Sequence, residues 1–200
     1  MAKKLTNRSK QALCTKKRIY EDGVKLIKKY GYENVTVDQI AKKAGVSVGT
    51  YYHYFQSKFD LFIEIYRHGD EYFKAKVPEL LGQYDNCSAR VVAYFILYAQ
   101  LAIDDGIEMV RNLYVPTNKM FLTHGRAMQD LLTEILRQGQ DKGEISNVEM
   151  PETITEKLFV AARGVIFDWS LHDGNNDIIA DMKDMTQRLI RSYFNTENQS

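Results

Sequence analysis

Residues 36–58, TVDQIAKKAGVSVGTYYHYFQSK, constrain the chain to two short helices joined by a tight turn. Thr36 stands three residues before Gln39, the spacing of a capping box that opens a helix. Val37, Ile40 and Ala41 then fall at i, i+3 and i+4 on one face. Ala44-Gly45 interrupts the run, and glycine turns the chain there at least steric cost. Ser47 is placed to cap a second helix that carries Val48, Tyr51 and Phe55 inward. Its other face holds Gly49, Thr50, Tyr52, His53 and Tyr54, all small or hydrogen-bonding. Such a face suits a helix that enters the DNA major groove.

The formal charge of +1 conceals a division. Residues 1–58 hold 13 Lys and Arg against 4 Asp and Glu, net +9, whereas residues 59–200 hold 14 against 22, net −8. A polyanion is therefore expected at one end only. A hydrophobic content of 44%, three prolines and no alternating strand pattern predict a mostly helical chain with a substantial core. Cys14 and Cys87 show no metal spacing, and two free thiols are a simpler account than a disulfide. No apolar region follows the basic start, so no cleaved signal is expected. No apolar run approaches the roughly 20 residues of a bilayer span, so a soluble cytoplasmic chain without a membrane partner is expected.

Residues 1–15 read as a flexible basic tail, or alternatively as an arm laid along phosphates. Residues 15–31 predict a first helix with Ile19, Gly23, Leu26, Ile27 and Tyr30 inward, Gly23 marking a close helix crossing. Ser57, three residues before Asp60, opens a further helix with Phe62, Ile65, Gly69, Tyr72 and Phe73 inward and Pro78 at its end. Lys58 lies in its first turn, where it can hold a phosphate. Residues 88–105 are apolar all round, as in a buried helix. A short segment, 107–115, precedes one long amphipathic helix over 118–141, which Gly143 terminates. Pro151 opens the next helix and Ile178 the last. Both present apolar residues on two faces, one for the core and one for a second copy in a four-helix bundle. Leu158, Ala162, Val165, Trp169, Met182, Met185 and Leu189 are the expected homodimer interface.

Tyr94, Tyr98, Met120, His124 and Phe167 are the candidate pocket for a small, mostly apolar effector, with Arg163 and Asp168 to orient it. His53, His68, His124 and His172 form no close metal motif. No nucleophile elbow, phosphate loop or paired carboxylate is present, so no catalytic, metal or cofactor site is expected.

The run GVSVGTYYHYFQSKFDLF, preceded by TVDQIAKKA, resembles the signature of the TetR (tetracycline-repressor-like) transcriptional regulators. The resemblance is specific over residues 16–66, and RGVIFDWSLHDG is similar to the eighth helix of some members. It implies an all-α bacterial protein with an N-terminal three-helix helix-turn-helix DNA-binding domain (residues 16–60). A C-terminal helical effector-binding and dimerisation domain (residues 61–195) follows, with about nine helices in all. It further implies a homodimer on a palindromic operator in double-stranded DNA, acting as a repressor that a ligand releases. Thr36, Tyr52, Tyr54 and Lys58 would contact phosphates, and Ser47, Val48, Gly49 and Thr50 would face base edges. Gln39, Lys42, Lys43 and His53 can add polar contacts. Asp22-Gly23, Tyr51 and Phe59 depart from the family pattern. No Arg, Asn or Gln lies between Ser47 and Phe55, so the bidentate base readers are missing from this helix. Affinity is then expected from phosphates, and specificity from methyl contacts and DNA shape. A DNA-binding protein that answers to a protein partner, and an enzyme built on a helical bundle, are the competing classes.

Overall fold

The computed structural model describes residues 6–194 except 117 and 124, without the side chains of Phe62, Ile63, Ile65 and Tyr66. Among the described residues it contains nine α-helices, one 3-10 turn and no strand. The helices are α1 (Asn7–Tyr30), α2 (Val37–Lys43), α3 (Val48–Tyr54), α4 (Asp60–Leu81), α5 (Cys87–Asp105), α6 (Ile107–Leu113), α7 (Ala127–Asp141), α8 (Pro151–Leu171) and α9 (Ile178–Arg191). The expected all-α fold is met. Two compact units divide within α4, between Arg67 and His68.

In the first unit α1 begins at Asn7, well before the expected start at residue 15. The reason is local: the Thr6 side chain accepts from Ser9 N at 3.2 Å, and Lys, Gln, Ala and Leu continue the turn as good helix formers. Residues 1–5 of the expected tail lie outside the described residues. Ile19, Gly23 and Ile27 face the core, while Tyr30 is half exposed rather than inward. Gly23 does mark a close crossing, since a Cβ there would stand 2.9 Å from Leu61 Cδ1 and 3.4 Å from Ile40 Cγ2.

The second unit is built on α5, which packs against α7, α8 and α9. Every residue from Val91 to Phe95 is buried, as an all-round apolar helix requires. By length and composition α5 could cross a bilayer, which corrects the expectation that no run nears that length. Here the bundle buries its stretch from Val91 to Phe95, while Ile103 stays exposed. Tyr94 joins Phe73, Phe95 and Phe159 at ring separations of 4.9, 5.5 and 6.2 Å, and its hydroxyl donates to Met128 O at 2.6 Å.

Two expected boundaries differ. Pro78 does not end α4, which runs on to Leu81 around an exposed proline that lacks only one backbone donor. The expected helix over 118–141 is split. A 3-10 turn (Lys119–Leu122) comes first, Gly125 then takes a left-handed φ of 72°, and α7 starts afresh. The Arg126 side chain offers no acceptor for the new helix end, and Asp70 of α4 supplies one by accepting from Met128 N at 3.3 Å. Gly143 closes α7 as expected, with Glu144 N on Gly139 O at 2.9 Å and Gly143 N on Gln140 O at 2.9 Å.

At Gly139 the crossing of α5 and α7 leaves no room for a side chain. A Cβ there would stand 2.7 Å from the Cys87 Cβ, which cannot move without its backbone. Gly139→Ala is expected to destabilise this unit by about 1–3 kcal/mol despite the gain in helix propensity. The single tryptophan, Trp169, reports that unfolding. Adding Cys87→Ala should return part of the loss by removing the sulfur, and strictly additive effects would contradict the contact.

Candidate nucleic-acid interface

The α2–α3 pair is shaped by its end groups. Thr36 Oγ1 accepts from Gln39 N at 3.2 Å and Gln39 Oε1 accepts from Thr36 N at 2.8 Å, the full capping box. At the other end Gly45 N donates to Lys42 O at 3.2 Å and Val46 N to Ala41 O at 3.0 Å. This is a Schellman closure, which needs the left-handed φ of 63° that Gly45 supplies. Ser47 then caps α3 by accepting from Thr50 N at 3.0 Å. Both expected caps are present.

Tyr51 and Phe55 are buried at 0% and 2% exposure, with ring centroids 5.7 Å apart. The Tyr51 hydroxyl donates to Ser57 O at 3.1 Å. Burial, then the nearby Asp60 carboxylate, pushes its pKa well up, so it stays a neutral donor. Val48, expected inward, is 36% exposed and joins the outer face. A seven-residue helix has only two turns, and Val48 is its first residue.

Outward on α2 and α3 stand Thr36, Lys42, Lys43, Ser47, Val48, Gly49, Tyr52 and His53, all exposed, with Thr50 and Tyr54 half buried. The Thr50 hydroxyl lies 2.9 Å from that of Ser47. Gln39 is exposed, but its carbonyl oxygen is engaged in the cap. Lys58 is half buried, and its ammonium donates to Tyr32 O and to Val35 O, the latter at 2.9 Å. The unit thus offers a surface of lysines, hydroxyls, a phenol and an imidazole.

A feature not foreseen lies beneath it. Glu64 is buried at 6% exposure and accepts from Lys16 Nζ at 2.9 Å and Arg67 Nε at 2.9 Å. Lys16 in turn stands 5.6 Å over the Phe55 ring. Only the i,i+3 pair Glu64–Arg67 could be read from spacing, because Lys16 is 48 residues away.

In the second unit the expected effector residues that the structure describes differ in burial. Tyr94 and Tyr98 are buried among aromatic rings, Met120 is half buried in the 3-10 turn, and Phe167 is 47% exposed on α8. His124 lies outside the described residues. Asp168 is exposed rather than buried, and Arg163 is half buried with its guanidinium 5.5 Å over Phe121. The Tyr98 hydroxyl meets that of Tyr114 at 3.0 Å, and the Tyr114 ring packs at a tilt of 53° against Phe121 with centroids 4.8 Å apart. A separate open groove of about 740 Å³, lined by Tyr84, Val92, Ile96, Lys183, Arg191 and Phe194 among others, includes none of the five. Of the expected interface residues, Leu158, Ala162, Trp169 and Met182 are buried in the chain's own core. Val165, Met185 and Leu189 flank that core. The apolar residues that α8 leaves outward are instead Val160, Phe167 and Leu171 at 60%, 47% and 64% exposure.

Three capped helices with this outward face, followed by a helical bundle, define a helix-turn-helix DNA-binding regulator. Residues 19–65 match the family described as bacterial regulatory proteins, tetR family. That match lies within the helix-turn-helix unit and the start of α4, and the curated relatives of the chain are described as regulators. Over 184 residues it is 23% identical to the fatty acid metabolism regulator protein of Bacillus subtilis, spanning 89% of this chain and 95% of the relative. It is 27% identical over 160 residues to the transcriptional regulator AcuR of Cereibacter sphaeroides, spanning 72% and 71%. Among solved structures, it superposes on FadR of Thermus thermophilus in complex with lauroyl-CoA with a TM-score of 0.73 and 19% identity, over 92% and 98% of the two chains. For the fatty acid degradation regulator FadR of Bacillus halodurans the TM-score is 0.66, with 25% identity over 94% and 97%.

The buried Glu64 ties the stability of this unit to pH. Burial raises the carboxyl pKa, but hydrogen bonds from Arg67 and Lys16 outweigh it and hold the folded value below the ordinary one. A depressed folded pKa contributes stability above the unfolded value of about 4.3 and loses it as pH falls through the folded value. Glu64→Gln should therefore cost roughly 1–3 kcal/mol at pH 7, with the deficit shrinking toward pH 3. Amide hydrogen exchange in α1 and α2 measures it, and a deficit that grows on acidification would contradict the assignment.

Proposed function

We propose that this regulator is a dimeric repressor that binds a palindromic operator and is released by a fatty acyl-CoA or a chemically similar acyl effector. The capped α2–α3 pair carries the DNA half of this reading. Lys42, Lys43, Thr36 and Tyr52 supply phosphate contacts around Val48, Gly49, Thr50 and His53, which face base edges. Ser47 and Gln39 act mainly as caps there, and Tyr54 adds its hydroxyl at the edge. The effector half is supported by likeness to the fatty acid metabolism regulator, and by solved relatives described with lauroyl-CoA or stearoyl-CoA. The candidate region runs from Tyr94 and Tyr98 through Tyr114, Met120 and Phe121 to Arg163. An apolar region with the Arg163 guanidinium beside Phe121 suits an acyl chain with an anionic carrier.

Selection of bound sites from random DNA tests the first half, and a palindrome is expected. Lauroyl-CoA and stearoyl-CoA at micromolar concentration should then weaken binding to that site. Release by neither, or a single non-repeated half-site, would contradict the proposal.

For the dimer, the outward face of α8 is the supported surface. Val160, Phe167 and Leu171 lie at i, i+7 and i+11, with Gly164 between them allowing close approach. Phe167→Glu should shift the molecular mass in solution toward the monomer and weaken operator binding more than tenfold. A dimer unchanged by that substitution would place the interface elsewhere.

A further inference from the structure

We propose that Lys58 is a positioning residue for DNA binding, fixing the peptide that opens α2 instead of gripping a phosphate. It rests on the reading that α2 and α3 face DNA. Lys58 Nζ donates to Tyr32 O and to Val35 O at 2.9 Å, and it lies 3.8 Å from the centroid of the Tyr32 ring. These two carbonyls belong to the turn between α1 and α2, where Val35 N also closes on Tyr32 O at 3.3 Å. Val35 O and Thr36 N are the two ends of one peptide bond. Lys58 holds its oxygen, and Gln39 Oε1 holds its N–H at 2.8 Å. A peptide held from both sides has one orientation. Because Thr36 is the N-cap, that orientation aims the first turn of α2 and the Thr36 side chain.

The ammonium has three donors, and two are committed to carbonyls while an aromatic face covers the cation. A phosphate contact would draw it out of this seat and release the turn. The positive charge therefore acts through backbone geometry, and Thr36, Lys42 and Lys43 are the groups that meet the polyanion.

Lys58→Met and Lys58→Arg, with Tyr32→Leu as a variant that keeps the charge, test this in the full chain. In the free protein, Lys58→Met should speed exchange of the Thr36 amide about tenfold, and Lys58→Arg should restore much of the protection. On the selected operator, Lys58→Met should weaken binding about tenfold while leaving the slope of log K against log salt all but unchanged. Tyr32→Leu should move both readouts in the same direction. A slope lowered by about one in Lys58→Met marks a direct phosphate contact and overturns the proposal. So does an unchanged Thr36 exchange rate, or a Tyr32→Leu variant that binds as well as the parent. Failure of the parent chain to bind DNA would overturn the reading of α2 and α3, while the exchange measurement still judges the brace.

Discussion

Two helices of seven residues each cannot hold themselves together, and the DNA-facing surface depends on how their ends are satisfied. Isolated helices shorter than about 12–15 residues are marginal in water. In α2 and α3 most backbone groups belong to an end rather than an interior. Thr36, Gln39, the left-handed Gly45 and Ser47 satisfy them in sequence, and the Tyr51 hydroxyl ties the following turn at Ser57. Apolar packing of Ile40, Ala41, Tyr51 and Phe55 then has a fixed frame to act on. Without the caps, the outward set of Lys42, Lys43, Thr50, Tyr52 and His53 would have no defined spacing to present to a duplex.

The second unit solves the same problem by area. Its helices are mostly longer, and α5 is wrapped closely enough that five successive side chains are buried. Thr133 pairs with Thr155 at 2.9 Å in this interior, and Tyr94 with the Met128 carbonyl, whereas the fully buried Thr186 hydroxyl on α9 has no hydrogen-bond partner among the described residues. Surface pairs such as Arg137 with Glu134 and Glu152 are half exposed at each partner and contribute little. Two pairs are better sheltered: Glu64 with Lys16 in the first unit, and Asp70 with Arg126 in the second.

What could be read in the sequence was local. The capping box, the Ser47 cap, the Gly143 terminator, the opening at Pro151 and the buried character of α5 are all written within one or two turns. What could not be read depended on partners far along the chain. Asp70 serves as the acceptor for the start of α7, 58 residues on, so the break near Gly125 looked like continuous helix. Lys58 finds carbonyls 26 and 23 residues earlier, a pairing that its place in a first turn does not reveal. On α8 the periodicity showed apolar residues on several faces but not which face the bundle would use. Leu158, Ala162 and Trp169 went inward, and Val160, Phe167 and Leu171 remained outside.

The two cysteines have opposite fates. Cys87 is buried at the α5–α7 crossing, and burial pushes its thiol pKa up to about 12, so it is chemically quiet near neutrality. Cys14 is exposed on α1, in the other unit. Trp169, the only tryptophan, sits in the second unit at 7% exposure. The native chain thus carries one accessible attachment point for a dye in its DNA-binding half and one intrinsic fluorophore in its helical bundle. Energy transfer between them can follow the separation of the two halves without a single residue being changed.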